Sequence, residues 1–243
     1  MIIQEVCYWI RRTLVDRGWW LSIVGASVLV LCLTVLYAEI LTTPAPGEHA
    51  QVAWLSLIES SFMAWSFELF MFAVGASLVT GRNWASGAHT VYAWLFPQRC
   101  RSVLAIVSGV GLPSMCVATV CSVVAHILLA GFPTATSARL ITSAAMVLTS
   151  SLSALLASAL GAGLAVLTRS TVTSVVSLVV LFWFFPGGLA AAELPTYFLP
   201  SAGLMGITLL PLRHGSMEFL VGVGFIFLVL IVAGVVEGRR DIQ

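Results

Sequence analysis

Six apolar stretches follow one another along this chain, near Trp19–Leu41, Ser60–Thr80, Ser102–Ala130, Leu140–Leu167, Val172–Leu189 and Glu218–Val236. As helices rising about 1.5 Å per residue, each can cross a hydrocarbon layer about 30 Å thick. Only 9% of the residues are charged, 60% are hydrophobic, and the mean hydropathy is +1.06. A surface in water needs roughly a quarter charged residues, whereas a surface in lipid does not. The spans use about half the chain at roughly 20 residues each, which leaves short loops and no separate soluble domain. The expected fold is therefore all-α: one polytopic membrane domain over residues 1–243 with six transmembrane helices.

Arginines set the expected orientation. All eleven basic residues are Arg and none is Lys. With a cytoplasmic amino terminus, the inner segments hold Arg11, Arg12, Arg17, Arg82, Arg99, Arg101, Arg169, Arg239 and Arg240, and the outer ones hold only Arg139 and Arg213. Nine against two is a strong bias over short loops, and it places both termini inside with an even number of spans. A net charge of +1 without a basic patch offers nothing to nucleic acid.

The arginines before Trp19 resemble the start of a secretory signal. The apolar run that follows is too long for a signal core and lacks a small-x-small cleavage site, so it reads as a retained span. Residues 1–18 mix Ile2, Ile3, Val6, Trp9, Ile10 and Leu14 with Gln4, Glu5, Arg11, Arg12 and Asp16. That pattern predicts an interfacial helix lying along the inner leaflet. Thr42–Ala53, with Pro44, Pro46 and Gly47, is expected to be an external loop.

The fourth span is rich in small residues, among them Ala157, Ala159, Gly161 and Gly163. Small faces let helix backbones approach closely in lipid, so this helix is expected to be central. Gly109, Gly111 and Pro113 predict a kink in the third span. Pro186-Gly187-Gly188 breaks the chain after the fifth span, and 189–212 is apolar yet holds Glu193, Pro195, Pro200 and Pro211. A seventh crossing would violate the arginine parity. A re-entrant segment of two short helices dipping into the outer leaflet satisfies both constraints, provided protein or water covers its turns.

Between the second and third spans an inner loop carries Trp84, Val91, Tyr92, Trp94, Leu95 and Phe96. So much aromatic surface could lie in the lipid interface, or it could dock on a soluble partner. The stretch Gly81-Arg82-Asn83-Trp84-Ala85-Ser86-Gly87-Ala88-His89-Thr90-Val91-Tyr92-Ala93-Trp94-Leu95-Phe96-Pro97-Gln98-Arg99-Cys100-Arg101 resembles the cytoplasmic loop of ABC-2 type exporter permeases. Their pattern is an acidic residue, a Gly-Thr or similar pair, a short helix, and a hydrophobic-x-Pro-x-x-Arg element. Gly87, Leu95, Pro97 and either Arg99 or Arg101 stand at matching positions, and the amphipathic start, six spans and broken outer segment match in architecture. The usual acid before the glycine is absent, with Asn83 and Trp84 nearby, and Thr90 follows Gly87 by three residues. The resemblance implies that 83–96 is a coupling helix seated on an ATP-binding subunit. Asn83, Trp84, Gly87, Thr90, Tyr92, Trp94, Leu95, Pro97 and Arg99 would make that contact.

It further implies a bacterial cytoplasmic-membrane exporter of amphipathic compounds, whether drugs, antibiotics or antimicrobial peptides, working as a pair of permease subunits. ATP and magnesium would sit on the partner chain, and this chain would carry no cofactor and no enzyme activity. A phosphate loop over Gly81–Thr90 is excluded, because the spacing is one residue too long and the lysine is missing.

Glu68 lies within the second span, one turn from Trp65. A carboxylate there is unfavourable by several kcal/mol unless paired, hydrated or protonated. It either lines a transport path, attracting a cationic substrate, or makes a structural hydrogen bond to a neighbouring helix. Glu193 is a candidate for gating the outer side. Glu39, Glu59 and His126 fall near the outer interface, and Arg169 closes a short inner turn, where it would meet lipid phosphate or orient the chain. Cys7, Cys32, Cys100, Cys116 and Cys121 form no C-x-x-C pair, and the four histidines are scattered, which disfavours disulfide and metal sites. No His-Glu-x-x-His or G-x-S-x-G motif is present. Two alternatives to an exporter subunit are a secondary transporter or channel, which predicts broken helices in both halves, and an intramembrane enzyme.

Overall fold

A computed structural model describes residues 2–42, 50–88, 91, 99–130, 137–185 and 217–239, and among these residues the regular elements are helices, with no strand. The helices are α1 (Ile2–Val15), α2 (Arg17–Thr42), α3 (Ala50–Ala85), α4 (Arg99–Ala130), α5 (Ser137–Thr168), α6 (Thr171–Val179, continued by a π-helical turn over Val180–Phe184) and α7 (Met217–Arg239). Three segments, Arg101–Leu128, Ala144–Thr168 and Leu220–Arg239, are long and apolar enough to cross a membrane. A fourth is added if Ile2–Val15 and Arg17–Leu33, bent by 68° at their junction, count as one span. This is the make-up of a membrane protein.

The helices run alternately up and down, as the paired positions along them record. Ser27 meets Glu68 and Gly75 lies against Ser22 and Trp19, so α2 and α3 are antiparallel. Ser122 meets Ser150 and Gly111 lies against Leu155, so α4 and α5 are antiparallel too. Gly81 faces Thr171 and Phe70 faces Phe182, which sets α6 antiparallel to α3. Gly163 lies against Val229 and Leu230, and Arg169 meets Glu237, so α7 runs parallel to α5.

α5 is the axis of the bundle, touching α3, α4, α6 and α7. Two-thirds (67%) of its span is buried, against 28% of the α7 span. Its small residues make this possible. At Gly161 the backbone of Ala73 comes so close that a Cβ would collide with the Ala73 carbonyl. Ser77 donates a 2.9 Å hydrogen bond to the Gly161 carbonyl at the same crossing. The sequence expectation of a tightly packed fourth span holds among the described residues.

α1 shows three stripes. Glu5, Trp9 and Thr13, spaced by four, are buried against the bundle. Ile3 and Leu14 are exposed on one side of that stripe, and Gln4 and Arg11 on the other. A helix held by protein with one apolar and one polar free flank suits the boundary between lipid and water. Asp16 then makes the corner, its carboxylate accepting from the Trp19 N–H at 2.9 Å as the N-cap of α2.

Two expectations need revision. The external loop Thr42–Ala53 is shorter than expected, because Ala50–Ala53 already belong to α3. α3 is one helix of 36 residues, so Asn83 and Trp84 form its last turn instead of opening a separate coupling helix. The stretch contains no proline, and its glycines pack against neighbours. α4 runs as one helix through Pro113, where the kink was expected, and Gly109 and Gly111 there lie against Trp9 and Leu155. The described part of α6 with its π turn runs to Phe184, and the expected end of the fifth span at Leu189 lies outside the described residues. The expected re-entrant segment 189–212 lies outside the described residues.

Candidate functional site

Four contacts gather the helix ends on one side of the bundle. Arg82, near the end of α3, pairs with Asp16 at 3.0 Å. Arg101, at the start of α4, lies 3.9 Å from the buried Glu5, a loose ion pair without a hydrogen bond to that carboxylate. Arg169, just past α5, pairs with Glu237 near the end of α7 at 3.3 Å. The Arg169 guanidinium also stands over the Trp84 ring, 4.5 Å from its centroid. Arginines assigned by charge bias to one side of the membrane thus meet at one end of the structure, each opposite an acid on another element.

The pairs made by Arg82 and Arg169, whose side chains are more than a third exposed, contribute little singly, with typical values of about 0–1 kcal/mol. Their value is positional. Asp16 holds the α1–α2 corner to the end of α3, and Arg169 links the ends of α3, α5 and α7. Arg169 has φ 51°, the left-handed region uncommon for a residue with a side chain. Ser170 beside it caps α6, its hydroxyl accepting from the Thr173 N–H at 3.3 Å. Arg169 meets Glu237 and Trp84 within the chain, where sequence had suggested lipid phosphate or a role in orienting the chain.

The residues assigned by resemblance to the ATPase contact begin at this end. Asn83 is 2% exposed, and its side-chain oxygen has no hydrogen-bond partner among the described residues. Trp84 is half-buried under Arg169. Gly87 is exposed, with φ 69°, and closes the helix end by donating its N–H to the Trp84 carbonyl at 3.2 Å. Arg99 opens α4 in sequence, although its side chain is outside the described residues, as are Thr90, Tyr92, Trp94, Leu95 and Pro97.

Glu68 belongs to a different place. It is 1% exposed, on the face of α3 turned to α2, and Ser27 donates a 3.0 Å hydrogen bond to its Oε1. Cys121 of α4 adjoins both. Oε2 has no hydrogen-bond partner among the described residues. Three helices thus meet at one carboxylate that is only half satisfied. Trp65 lies in α3 with its side chain outside the described residues, and Glu193 is outside them entirely. His126 bonds through Nδ1 to the Ser122 carbonyl at 2.7 Å.

Sequence reasoning gave Arg169 no partner in the chain and missed the structural roles of Asp16, Glu5 and Glu237. A usable signal was present for two of them: Asp16 falls just before Trp19 and Glu237 just after Val236, span ends that the charge bias assigns to the same side as Arg82 and Arg169. No protein-family model and no curated protein matches this chain.

Proposed function

We propose that the chain is the membrane permease subunit of an ATP-driven exporter of the ABC-2 type, with ATP bound and hydrolysed on a separate subunit. The observation that carries this reading is where the aromatic stretch begins. It follows α3 directly at the arginine-rich end, and its first tryptophan is already linked through Arg169 to the ends of α5 and α7. A push on that stretch therefore acts on three helices at once, which is what a motor protein beneath the bundle requires. Asn83, Trp84, Gly87, Thr90, Tyr92, Trp94, Leu95, Pro97 and Arg99 form the docking surface.

In this reading six spans cross a bacterial cytoplasmic membrane with both termini inside. α1 lies at the inner interface, and 189–212 dips into the outer leaflet after the fifth span. Two permease subunits, identical or related, enclose a path for an amphipathic drug, antibiotic or peptide. Glu68, with Trp65 and Glu193, serves that path.

The test is co-purification. Affinity-tagged chain extracted from its native membrane in mild detergent should bring down a subunit carrying a nucleotide-binding P-loop. Trp84→Ala combined with Trp94→Ala should abolish that association while the permease still elutes as a folded species. Recovery of the tagged chain with no such subunit would overturn the exporter reading.

A further inference from the structure

Arg169 stands in a backbone conformation that favours glycine, yet its side chain makes two unlike contacts. One is the ion pair to Glu237 at 3.3 Å, and the other is the stack on Trp84 at 4.5 Å. An isolated turn residue at φ 51° would be better served by glycine, which pays no steric penalty there. What the arginine adds is a planar cation able to lie flat on an indole while its edge meets a carboxylate. Both partners sit at helix ends, Trp84 in the last turn of α3 and Glu237 in the last turn of α7. The same turn is pressed on α3 a second time, where Gly81 leaves no room for a Cβ against Thr171.

We infer that Arg169 is a positioning residue for the cytosolic stretch 83–96, clamping its first turn to the α5–α6 turn and to the end of α7. Displacement of that stretch is passed to the α5–α6 turn and to α7 in part through this side chain. The inference rests on the exporter reading for what moves the stretch, but the clamp itself is measurable without any partner.

Two substitutions at this position separate its contacts. Arg169→Gly removes both while suiting the backbone, so folding is not put at risk by φ. Arg169→Lys keeps a charge for Glu237 but has no planar group to stack on Trp84. Amide hydrogen exchange of the full chain in lipid nanodiscs reads the result. The N–H groups of Ser86 and Gly87, which bond to the Arg82 and Trp84 carbonyls, are the reporters for the stretch. Those of the last α7 turn report on Glu237.

Arg169→Gly should speed exchange at both reporters by about threefold, and Arg169→Lys by less and at Ser86 and Gly87 only. Unchanged exchange at Ser86 and Gly87 in Arg169→Gly overturns the clamp. With the ATP-binding subunit bound, Arg169→Gly should leave its association intact and lower substrate-stimulated ATP hydrolysis by about tenfold, whereas undiminished stimulation overturns the relay. If the wild-type chain brings down no such subunit, the exporter reading fails, and the exchange experiment still decides for or against the clamp.

Discussion

The hydroxyl of Thr13 approaches the main-chain carbonyl of Gly109 at 3.4 Å while donating to the Trp9 carbonyl at 2.8 Å. Gly109 is four residues before Pro113, whose missing N–H is the one that would have closed the helix onto that carbonyl. A second element thus covers a polar group that proline exposes inside a membrane helix, where water cannot do so. The lack of a side chain at Gly109 admits α1, because a Cβ there would strike Trp9.

From this geometry follows a coupled pair of substitutions. Thr13→Val should lower stability by about 0.6–1 kcal/mol, the usual size of an interhelical hydrogen bond in a membrane protein. Pro113→Ala restores the backbone donor, so Thr13→Val should be milder in that background by about 0.5 kcal/mol. Thermal unfolding of the four proteins in detergent measures the coupling. Strict additivity would show that the two sites are independent.

At the α3–α5 crossing two terms can be separated by size. Ser77→Ala deletes one hydrogen bond to the Gly161 carbonyl, worth about 0.6–1 kcal/mol. Gly161→Ala places a methyl group where the Ala73 carbonyl already stands, and overpacking of this kind typically destabilises by about 1–3 kcal/mol. The steric change should therefore lower the apparent melting temperature more than the loss of the hydrogen bond. Equal shifts would mean that the helices can separate here without penalty.

Asp16 has two roles that one substitution can divide. It caps α2 through the Trp19 N–H and pairs with Arg82. Asparagine caps a helix about as well as aspartate but carries no charge, so Asp16→Asn should change stability by less than about 1 kcal/mol, given how exposed Arg82 is. Asp16→Ala loses the cap as well and should lie about 1 kcal/mol lower still. Denaturant titration followed by circular dichroism provides the comparison.

The helices, their order and the prominence of α5 were legible in the sequence because lipid demands long apolar runs and close approach demands small residues. The gathering of Arg82, Arg101 and Arg169 at one end was legible too, since charge bias depends on side and not on detail. Helix ends were less so. α3 continues to Ala85 because hydropathy falls where the apolar layer ends, whereas a helix stops only where backbone and capping make it stop. The partners of Arg169 were hidden for another reason. Trp84 and Glu237 lie 85 and 68 residues away in sequence, and only the parallel setting of α3, α5 and α7 brings them together. Glu68 was visible as an anomaly, but its partner Ser27 was one serine among many.

Glu68 offers the sharpest test of a path through the bundle. A carboxylate that only supports helix packing needs hydrogen bonding to Ser27, and glutamine at this position can still accept one through its amide oxygen. A carboxylate that attracts a cationic substrate needs its charge. Glu68→Gln should therefore leave the yield and the melting temperature within the range of the wild type. If the proposed exporter function holds, it should also weaken transport of a cationic amphipath by roughly tenfold, about the 1.4 kcal/mol of one charge-assisted contact. Ser27→Ala should do the reverse, lowering stability by about 0.6–1 kcal/mol with transport retained. Efflux of a fluorescent cationic dye from cells or vesicles containing the complete transporter measures both. Undiminished efflux with Glu68→Gln would remove the residue from the path and leave it as the acceptor that joins α2 to α3.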